Sequence, residues 1–177
     1  PMITFGSQMV QQLSKKTDKP LDVHLMVKDP EKHVKLFADA GVCTLVFHRE
    51  ASFHPQRLLS EIRSLGCYAG VSLNPATPLE DVKFLLPYLD MLLLMTVNPG
   101  YGGQSYLDQM TDKIRSARAM IDASGYPVRL QVDGGISRAN LAEVIEAGAD
   151  MVVSGSAIFS KEDPEQKPHC FRKICRR

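Results

Sequence analysis

The chain has 177 residues, of which 44% are hydrophobic and 23% charged, and its formal net charge is +1. This composition is typical of a globular domain, and the near-zero charge argues against bulk binding to nucleic acid or to an acidic membrane surface. We expect neither a transmembrane helix nor a signal peptide, because no apolar run is long enough and no basic region precedes one. The scattered cysteines, which form no C-x-x-C pair, favour reduced thiols and a cytoplasmic location.

Short apolar runs alternate with amphipathic stretches along the chain. The apolar runs predict strands at Leu21–Val27, Thr44–His48, Cys67–Leu73, Met91–Val97, Val128–Val132 and Met151–Ser154. The amphipathic stretches predict helices at Phe5–Lys16, Pro30–Ala40, Pro55–Leu65, Leu79–Leu86, Gln109–Ala123, Asn140–Ala147 and Glu165–Cys175. Asp29 is the expected N-cap of the second helix, with Pro30 as its first residue.

Strands that alternate with helices predict a parallel sheet in an α/β protein. Glycine-rich loops near the end of the chain favour a (β/α)8 TIM barrel over an open sheet, because barrels often bind phosphate after their last strands. A barrel needs eight strands, so the six predicted here suggest a partial barrel that lacks its first two βα units, in one domain over residues 1–177. The alternative is a complete open α/β sheet.

The loop after the fourth predicted strand contains three glycines in four positions, Gly100, Gly102 and Gly103 around Tyr101. Glycine allows backbone N–H groups to approach an anion closely, so this loop is a candidate phosphate or substrate site. The alternative is a flexible surface turn, since glycine-rich turns are common.

Two more strand ends carry polar or glycine residues. Asp133 is followed by Gly134 and Gly135, which suggests an acid/base group beside an anion site, although an aspartate that caps a turn would look the same. Gly155 and Ser156 follow the last predicted strand, where backbone N–H groups of a short helix could hold phosphate. The combination of these loops is more specific than any one of them.

His24 shares one face of its predicted strand with Asp22 and Met26, and this face would point into the barrel. Without other ligands in view, His24 is better explained by core packing than by a metal site. His48 ends the next predicted strand and is a weaker candidate for the wall of a pocket. On packing grounds alone, Met26 and Met95 are predicted core residues.

Four segments together resemble the ribulose-phosphate 3-epimerase family, in the order and spacing of that family. They are Leu21–Val27 (LDVHLMV), Thr96–Gln104 (TVNPGYGGQ), Val132–Ile136 (VDGGI) and Val153–Phe159 (VSGSAIF). The resemblance extends from Pro1 to about Pro164.

The resemblance implies conversion of D-ribulose 5-phosphate to D-xylulose 5-phosphate in the pentose phosphate pathway. It implies one divalent metal ion, zinc first with iron, manganese or cobalt as alternatives, held in part by His24 and Asp133. Asp133 would also be catalytic, and Met26 and Met95 would line the pocket. The implied substrate and phosphate residues are His24, Gly100, Tyr101, Gly102, Gly103, Asp133, Gly134, Gly135, Gly155 and Ser156. The implied partners are a small sugar phosphate and further copies of the chain, with no nucleic acid and no membrane.

The family's first-strand serine and its second-strand histidine and aspartate have no counterpart in this sequence. We therefore expect little or no epimerase activity from this chain alone. Two further readings stay open, an allulose-6-phosphate 3-epimerase and a non-catalytic remnant that binds sugar phosphate. A decarboxylase or synthase of the same barrel type is disfavoured, because Asp22 is followed by Val-His-Leu rather than by an Asp-x-Lys-x-x-Asp motif.

Overall fold

A computed structural model describes residues 5–159 of the chain. Its strands are β1 Asp22–Leu25, β2 Thr44–His48, β3 Tyr68–Leu73, β4 Met91–Met95, β5 Arg129–Asp133 and β6 Met151–Val153. Its α-helices are α1 Ser7–Ser14, α2 Val34–Ala38, α3 Pro55–Ser64, α4 Glu80–Lys83, α5 Met110–Ser124, α6 Leu141–Glu146 and α7 Ser156–Phe159. Short 3-10 turns lie at Pro30–Lys32, Arg49–Ala51 and Leu86–Tyr88. The predicted helix Glu165–Cys175 lies outside the described residues.

The chain forms two compact units. The main division falls within β4, between Leu93 and Leu94, and Asn74–Ala76 also belongs to the second unit. The first unit contains β1, β2, β3 and the start of β4, hydrogen-bonded in that order, and the second contains the end of β4, then β5 and β6. Parallel pairing joins β1 to β2, β2 to β3, and β5 to β6. The alternation of strands and helices confirms the predicted α/β class, and the single domain stays a prediction.

The core of the first unit is centred on β2, whose five residues are all buried. Helix α3 packs Leu58, Leu59 and Ile62 into this core, and each is at most 1% exposed. A strand that is buried on both faces is continuously apolar, which explains why the run at β2 was recognisable from sequence.

The long helix α5 and strand β5 both contribute buried residues to the core of the second unit. The buried residues of α5 recur at helical spacing, at Met110, Thr111, Ile114, Ala117 and Ile121. The helix ends at Gly125, which adopts the left-handed conformation with φ 72°. Glycine reaches that conformation without the steric penalty of a side chain, so it ends the helix cleanly.

Asp90, the residue before β4, links a strand to a helix in the first unit. Its Oδ2 accepts a hydrogen bond of 2.8 Å from the backbone N–H of Ala69 in β3. The Arg63 guanidinium of α3 donates to both carboxylate oxygens of Asp90, at 3.2 and 2.8 Å. One carboxylate therefore anchors the start of a strand to the preceding helix.

Asp150, the residue before β6, makes equivalent contacts in the second unit. Its Oδ2 accepts a 2.7 Å hydrogen bond from the N–H of Leu130 in β5. The same oxygen accepts from Arg118 of α5 at 3.1 Å. The same device thus occurs in both units, at the residue that precedes a strand.

Two predicted helices have wrong bounds. The predicted helix Pro30–Ala40 is divided at His33 into a 3-10 turn and the short helix α2; Asp29 lies at the predicted N-cap position before Pro30, but its side chain makes no capping hydrogen bond. Asp29 adopts φ 50° and its carboxylate contacts the Lys32 ammonium group at 2.9 Å. This contact lowers the pKa of Asp29. The predicted helix Leu79–Leu86 ends at Lys83, because Pro87 lacks the N–H that would bond to the Lys83 carbonyl in a longer α-helix, and a 3-10 turn follows at Leu86–Tyr88.

Strand ends also moved by one to two residues. The strand predicted at Leu21–Val27 is only Asp22–Leu25, and Met26 beyond its end is 45% exposed, so its predicted place in the core is wrong. Met95 ends β4 and is 2% exposed, which confirms it as a core residue. Strand β5 extends to Asp133, one residue further than predicted.

Candidate active site

The three glycine-containing segments predicted from sequence all belong to the second unit, where each follows the end of a strand. Asp133 is the last residue of β5 and is in register with Val153 of β6. On its other side, the backbone N–H of Thr96, just after β4, donates to the Asp133 carbonyl oxygen at 2.8 Å. The Asp133 segment therefore lies between the ends of β4 and β6.

The Thr96 side chain adds a second link to the same segment. Thr96 is fully buried, and its hydroxyl donates a hydrogen bond to the carbonyl oxygen of Gly134. Thr96 therefore holds two successive carbonyl groups in place, that of Asp133 through its backbone and that of Gly134 through its side chain. Sequence reasoning missed this role, because nothing in the local pattern shows which carbonyl a buried threonine meets.

Gly134 and Gly135 lie where no other residue fits. Gly134 has φ 120°, and a Cβ at this position would overlap the side chain of Val97. Gly135 has φ 66°, and a Cβ there would overlap the backbone nitrogen of Tyr106. Both positions combine positive φ with close packing, so glycine is required by the fold, whatever the two residues also do for a ligand.

The segment after Gly135 is held by two further polar side chains. The Asn140 amide donates to the Gly135 carbonyl oxygen at 3.1 Å, and its Oδ1 accepts from the N–H of Ser137 at 2.8 Å. The Ser154 hydroxyl donates to the Ile136 carbonyl oxygen at 3.0 Å. Asn140 lies three residues after Ser137 and directly before α6, and an asparagine at such a position is a turn signal that the sequence alone could have shown.

The backbone of Tyr106 packs closely against Gly135, and the Tyr106 side chain belongs to a hydrogen-bonded group with Thr111 and Glu143. The Tyr106 hydroxyl contacts the Thr111 hydroxyl at 2.9 Å, and Thr111 donates to Glu143 Oε1 at 3.0 Å. Burial raises the pKa of Tyr106 above its ordinary value. At neutral pH this tyrosine is therefore neutral and supports the loop that it packs against.

The glycine-rich loop is organised by Gln104. Its side-chain amide donates to the carbonyl oxygens of Asn98 at 2.6 Å and Tyr101 at 2.8 Å. Gly100 and Gly103 have positive φ values of 130° and 75°. Tyr101 is 86% exposed at the tip of the loop. The loop is therefore braced at its base and open at its tip, as a ligand-binding loop requires.

Gly155 and Ser156 follow β6 at the start of the short helix α7. The Gly155 carbonyl oxygen accepts hydrogen bonds from Ile158 at 3.0 Å and Phe159 at 2.9 Å. Both Gly155 and Ser156 are exposed. The predicted short helix at this strand end is confirmed.

His24 and Met26 belong to the first unit. The His24 ring stacks on the ring of His48, with centroids 4.8 Å apart and planes inclined by 21°. His48 is 7% exposed, and its Nδ1 lies 3.4 Å from Glu50 Oε2. The expected site histidine of β1 is therefore stacked on a second histidine, at the end of β2.

Comparison with known proteins decides the family. The model of the "Ribulose-phosphate 3 epimerase family" matches residues 1–159. The chain is 48% identical over 164 residues to the ribulose-phosphate 3-epimerase of Escherichia coli K12, covering 92% of this chain and 73% of that protein. It is 46% identical to the enzyme of Serratia marcescens, covering 92% and 78%.

The chain belongs to the ribulose-phosphate 3-epimerase family. The relatives named above are isomerases, so membership confirms the enzyme class that the sequence motifs implied. The motifs that carried the resemblance, from the His24 strand to Ser156, all fall within the matched residues 1–159.

Solved structures with the same fold include more distant proteins. A 3-hexulose-6-phosphate synthase matches with a TM-score of 0.76 at 18% identity, covering 96% of this chain and 80% of that chain. A 3-keto-L-gulonate-6-phosphate decarboxylase from Vibrio cholerae matches with a TM-score of 0.77 at 14% identity, covering 97% and 79%. These likenesses confirm the predicted TIM-barrel type of fold, and the open-sheet alternative is wrong. At such identities they show the fold alone.

The epimerase family raises the question of a metal ion. An imidazole nitrogen and a carboxylate oxygen, as on His24 and Asp133, are donors that zinc accepts. Within residues 5–159, however, no three histidine, cysteine, aspartate or glutamate side chains form a group that could hold a metal. The described residues therefore offer suitable donors but not a complete ligand set.

None of the helices in the described part of the chain is long and apolar enough to cross a membrane.

Proposed function

We propose that this chain carries out the chemistry of its relatives, the epimerisation at C3 of D-ribulose 5-phosphate to D-xylulose 5-phosphate. The observation that carries the proposal is the identity of 46–48% to ribulose-phosphate 3-epimerases over 92% of the chain. A strand-end aspartate between two glycine-containing loops supports it independently, since barrel enzymes act at the carboxyl ends of their strands.

The reaction needs a group that moves a proton at C3. The C3 proton is weakly acidic because it is adjacent to the C2 carbonyl, and its removal gives an enediolate. Asp133 would act on one face of the substrate, as general base in one direction of the reaction and as general acid in the other. Inversion at C3 also needs a second group or a solvent water that delivers the proton on the opposite face. Thr96 and the two glycines would keep the carboxylate at a constant position while the substrate passes through the planar intermediate.

The phosphate end of the substrate would lie on backbone groups. Gly100–Gly103, the Gly134–Gly135 pair, Gly155 and Ser156 all follow strand ends of the second unit. Backbone N–H groups at such loops bind phosphate without a charged side chain. Tyr101 at the exposed loop tip would cover the bound sugar, and the two methionines Met26 and Met95 would line the pocket.

A divalent metal ion is part of the proposal, with zinc first and iron, manganese or cobalt as alternatives. His24 and Asp133 would contribute to its binding. When bound, the ion would stabilise the negative charge of the enediolate oxygens. Metal content measured by mass spectrometry on protein purified without chelators should fall in His24→Ala and in Asp133→Asn, and equal content in all three proteins would exclude this ligand assignment.

The biological setting is proposed from the family and from the sequence together. We propose a cytoplasmic enzyme of the pentose phosphate pathway that binds a small sugar phosphate and assembles into a homo-oligomer. Scattered cysteines and the near-neutral charge support this setting. Light scattering on the purified chain tests the assembly, and a monomer at micromolar concentration would contradict it.

The experiment that tests the function is a coupled assay for xylulose 5-phosphate formation, with zinc or manganese added. The three missing family side chains led us to expect little activity from the sequence, whereas the proposal, which rests on the identity to whole enzymes, predicts measurable turnover in the wild type. This turnover should fall by about 10²-fold or more in Asp133→Asn, because a general acid/base contributes about that factor. Asp112→Asn is the matched control, since Asp112 is an exposed residue of α5 that pairs only with Arg115 three residues away among the contacts described here.

The same assay separates the competing functions. Turnover of D-allulose 6-phosphate in preference to ribulose 5-phosphate would replace the proposed substrate by the longer sugar. Saturable binding of ribulose 5-phosphate without turnover, unchanged by metal, would indicate the non-catalytic remnant instead.

A further inference from the structure

Two histidines from neighbouring strands form a stacked pair in the first unit. The rings of His24 in β1 and His48 in β2 lie with centroids 4.8 Å apart and planes inclined by only 21°. In the parallel register His24 is opposite Val46, and Val46 shares a face of β2 with His48. Both rings therefore extend from the same face of the sheet, near the carboxyl ends of their strands.

The His48 ring is itself held by an anchored carboxylate. Its Nδ1 lies 3.4 Å from Glu50 Oε2, and Glu50 accepts a hydrogen bond from the Thr77 hydroxyl. The Nε2 atom of His48 is buried and has no hydrogen-bond partner among residues 5–159. Within this part of the chain, the ring is thus oriented by Glu50 at one edge and by the face of His24.

The turn that carries Glu50 is braced as well. Arg49 donates from its guanidinium to the Ser52 carbonyl oxygen at 3.3 Å, and the Ser52 hydroxyl donates to Glu31 at 2.5 Å. Ser52 is 5% exposed. A carboxylate on a braced turn can orient His48, which in turn can restrict the rotation of His24.

Polarity on this face of the sheet is concentrated at one end. Ser72 of β3 is the register partner of His48, is fully buried, and its hydroxyl oxygen has no partner among the described residues. One step back along the same face, the register partners are the apolar Val46 and Gly70. Buried polar atoms without partners lower stability, so a polar row at the strand ends is better explained by a site than by packing.

We propose that His48 is a positioning residue, which holds the His24 ring in one orientation by stacking on it and is itself oriented by Glu50. The inference rests on the proposed function, in which His24 contributes to binding of the metal ion. Its distinctive prediction is that a flat ring at position 48, rather than bulk alone, keeps His24 ordered.

The first test measures the order of the His24 ring directly. The chain contains five histidines, so protein labelled with ¹³C and ¹⁵N in histidine gives a simple spectrum, and His24→Gln assigns the His24 signals. Carbon relaxation of the ring should show a well-ordered His24 in the wild type and in His48→Phe. In His48→Leu, which has similar bulk but no flat face, the order parameter should fall. His54→Leu, at an exposed position, is the control.

The second test is kinetic. In the coupled assay, His48→Leu should lower kcat by about tenfold with KM changed less than twofold, since misplacing a group that supports the reacting centre affects turnover more than binding. His48→Phe should restore most of kcat. An His48→Leu protein with wild-type order at His24 and wild-type kcat would overturn the proposal.

Failure of the two ideas can be told apart. Absence of turnover in the wild type would overturn the proposed function, and the order of the His24 ring would then decide the positioning role alone. If His48→Leu does not fold, Glu50→Ala, which removes the acceptor beside His48 Nδ1, makes the same test from the other side of the ring. It should lower the order of both rings, and unchanged order there would also overturn the proposal.

Discussion

Thr96 binds the peptide segment of Asp133 and Gly134 twice, by its backbone N–H to the Asp133 carbonyl oxygen and by its hydroxyl to the Gly134 carbonyl oxygen. Thr96 is fully buried, so both bonds are shielded from water. The position of Asp133, the proposed acid/base group, therefore depends on Thr96. Thr96 follows the end of the neighbouring strand β4 and does not itself react.

Replacing Thr96 by valine should weaken this arrangement without changing the size of the side chain. The Gly134 carbonyl would be left without its donor inside the protein, which costs about 1–3 kcal/mol of unfolding free energy. Urea denaturation measures this loss. Thr96→Ser keeps the hydroxyl and is the control, so equal losses in the two variants would show that the methyl group, not the hydrogen bond, is responsible.

Gly135→Ala should destabilise the second unit strongly. The new Cβ would overlap the backbone nitrogen of Tyr106, and φ at this residue is 66°. We expect a loss of about 2 kcal/mol or more, from steric overlap and from the positive φ together. Gly102→Ala is the matched control, because a Cβ there meets no atom within 4 Å, and its unfolding free energy should change by less than about 0.5 kcal/mol. A Gly135→Ala protein as stable as Gly102→Ala would contradict the close packing.

Asp90 and Asp150 should each contribute to stability mainly through their bonds to strand N–H groups. Replacement of either by alanine leaves a backbone N–H of the neighbouring strand without its acceptor, and should cost about 1–3 kcal/mol. Arg63→Ala should cost less than about 1 kcal/mol, because the Arg63 side chain is 39% exposed and ion pairs of this kind are screened by solvent.

The two aspartates share no partner, so the losses in Asp90→Ala and Asp150→Ala should add in the double variant. Denaturation in low and high salt checks the assignment. A large salt dependence of the Asp90→Ala loss would show that the ion pair, not the N–H bond, dominates.

Alkaline pH should destabilise the chain through Cys67. Burial, with a smaller effect of the nearby Cys43, raises the pKa of the Cys67 thiol above its ordinary value of 9.0. The unfolded chain then loses this proton at lower pH than the folded chain. The contribution of Cys67 to stability is therefore complete below pH 9.0 and is lost as pH rises from there through the folded-state pKa.

Urea denaturation from pH 8 to 10.5 measures this dependence. Stability of the wild type should fall more steeply above pH 9 than that of Cys67→Ala, which lacks the titrating group. Tyr106, whose pKa burial also raises, adds a loss at still higher pH in both proteins. Parallel curves for the wild type and Cys67→Ala would mean that the thiol is not shielded in the folded chain.

Much of the fold could be predicted from the sequence because local pattern and burial agree in it. Strand Thr44–His48 has the predicted bounds, since a continuously apolar run bounded by polar residues has few alternatives. The helix predicted at Pro30–Ala40 is instead divided at His33 into a 3-10 turn and α2, and Asp29 before it adopts φ 50°. These local backbone conformations are not visible in hydrophobic periodicity.

The residue types of the candidate site could be predicted from the sequence, but the residues that hold its loops in place could not. Glycines after strand ends and Asp133 could be found because their chemistry is local to one loop. Thr96, Gln104 and Asn140 act through contacts with carbonyl oxygens elsewhere in their loops or on neighbouring strands. Those contacts depend on how the strands are paired, so only the folded chain shows them.

The most direct test of the account is exchange of the C3 proton of D-ribulose 5-phosphate with solvent deuterium, followed by proton NMR with added metal. This measurement detects proton removal by Asp133 even if the product is not inverted. We predict that the wild-type chain exchanges the C3 proton and that Asp133→Asn exchanges it at least about 10²-fold more slowly. Wild-type exchange no faster than in buffer, or equal rates in the wild type and Asp133→Asn, would contradict the assignment of Asp133 as the acid/base group of an epimerase.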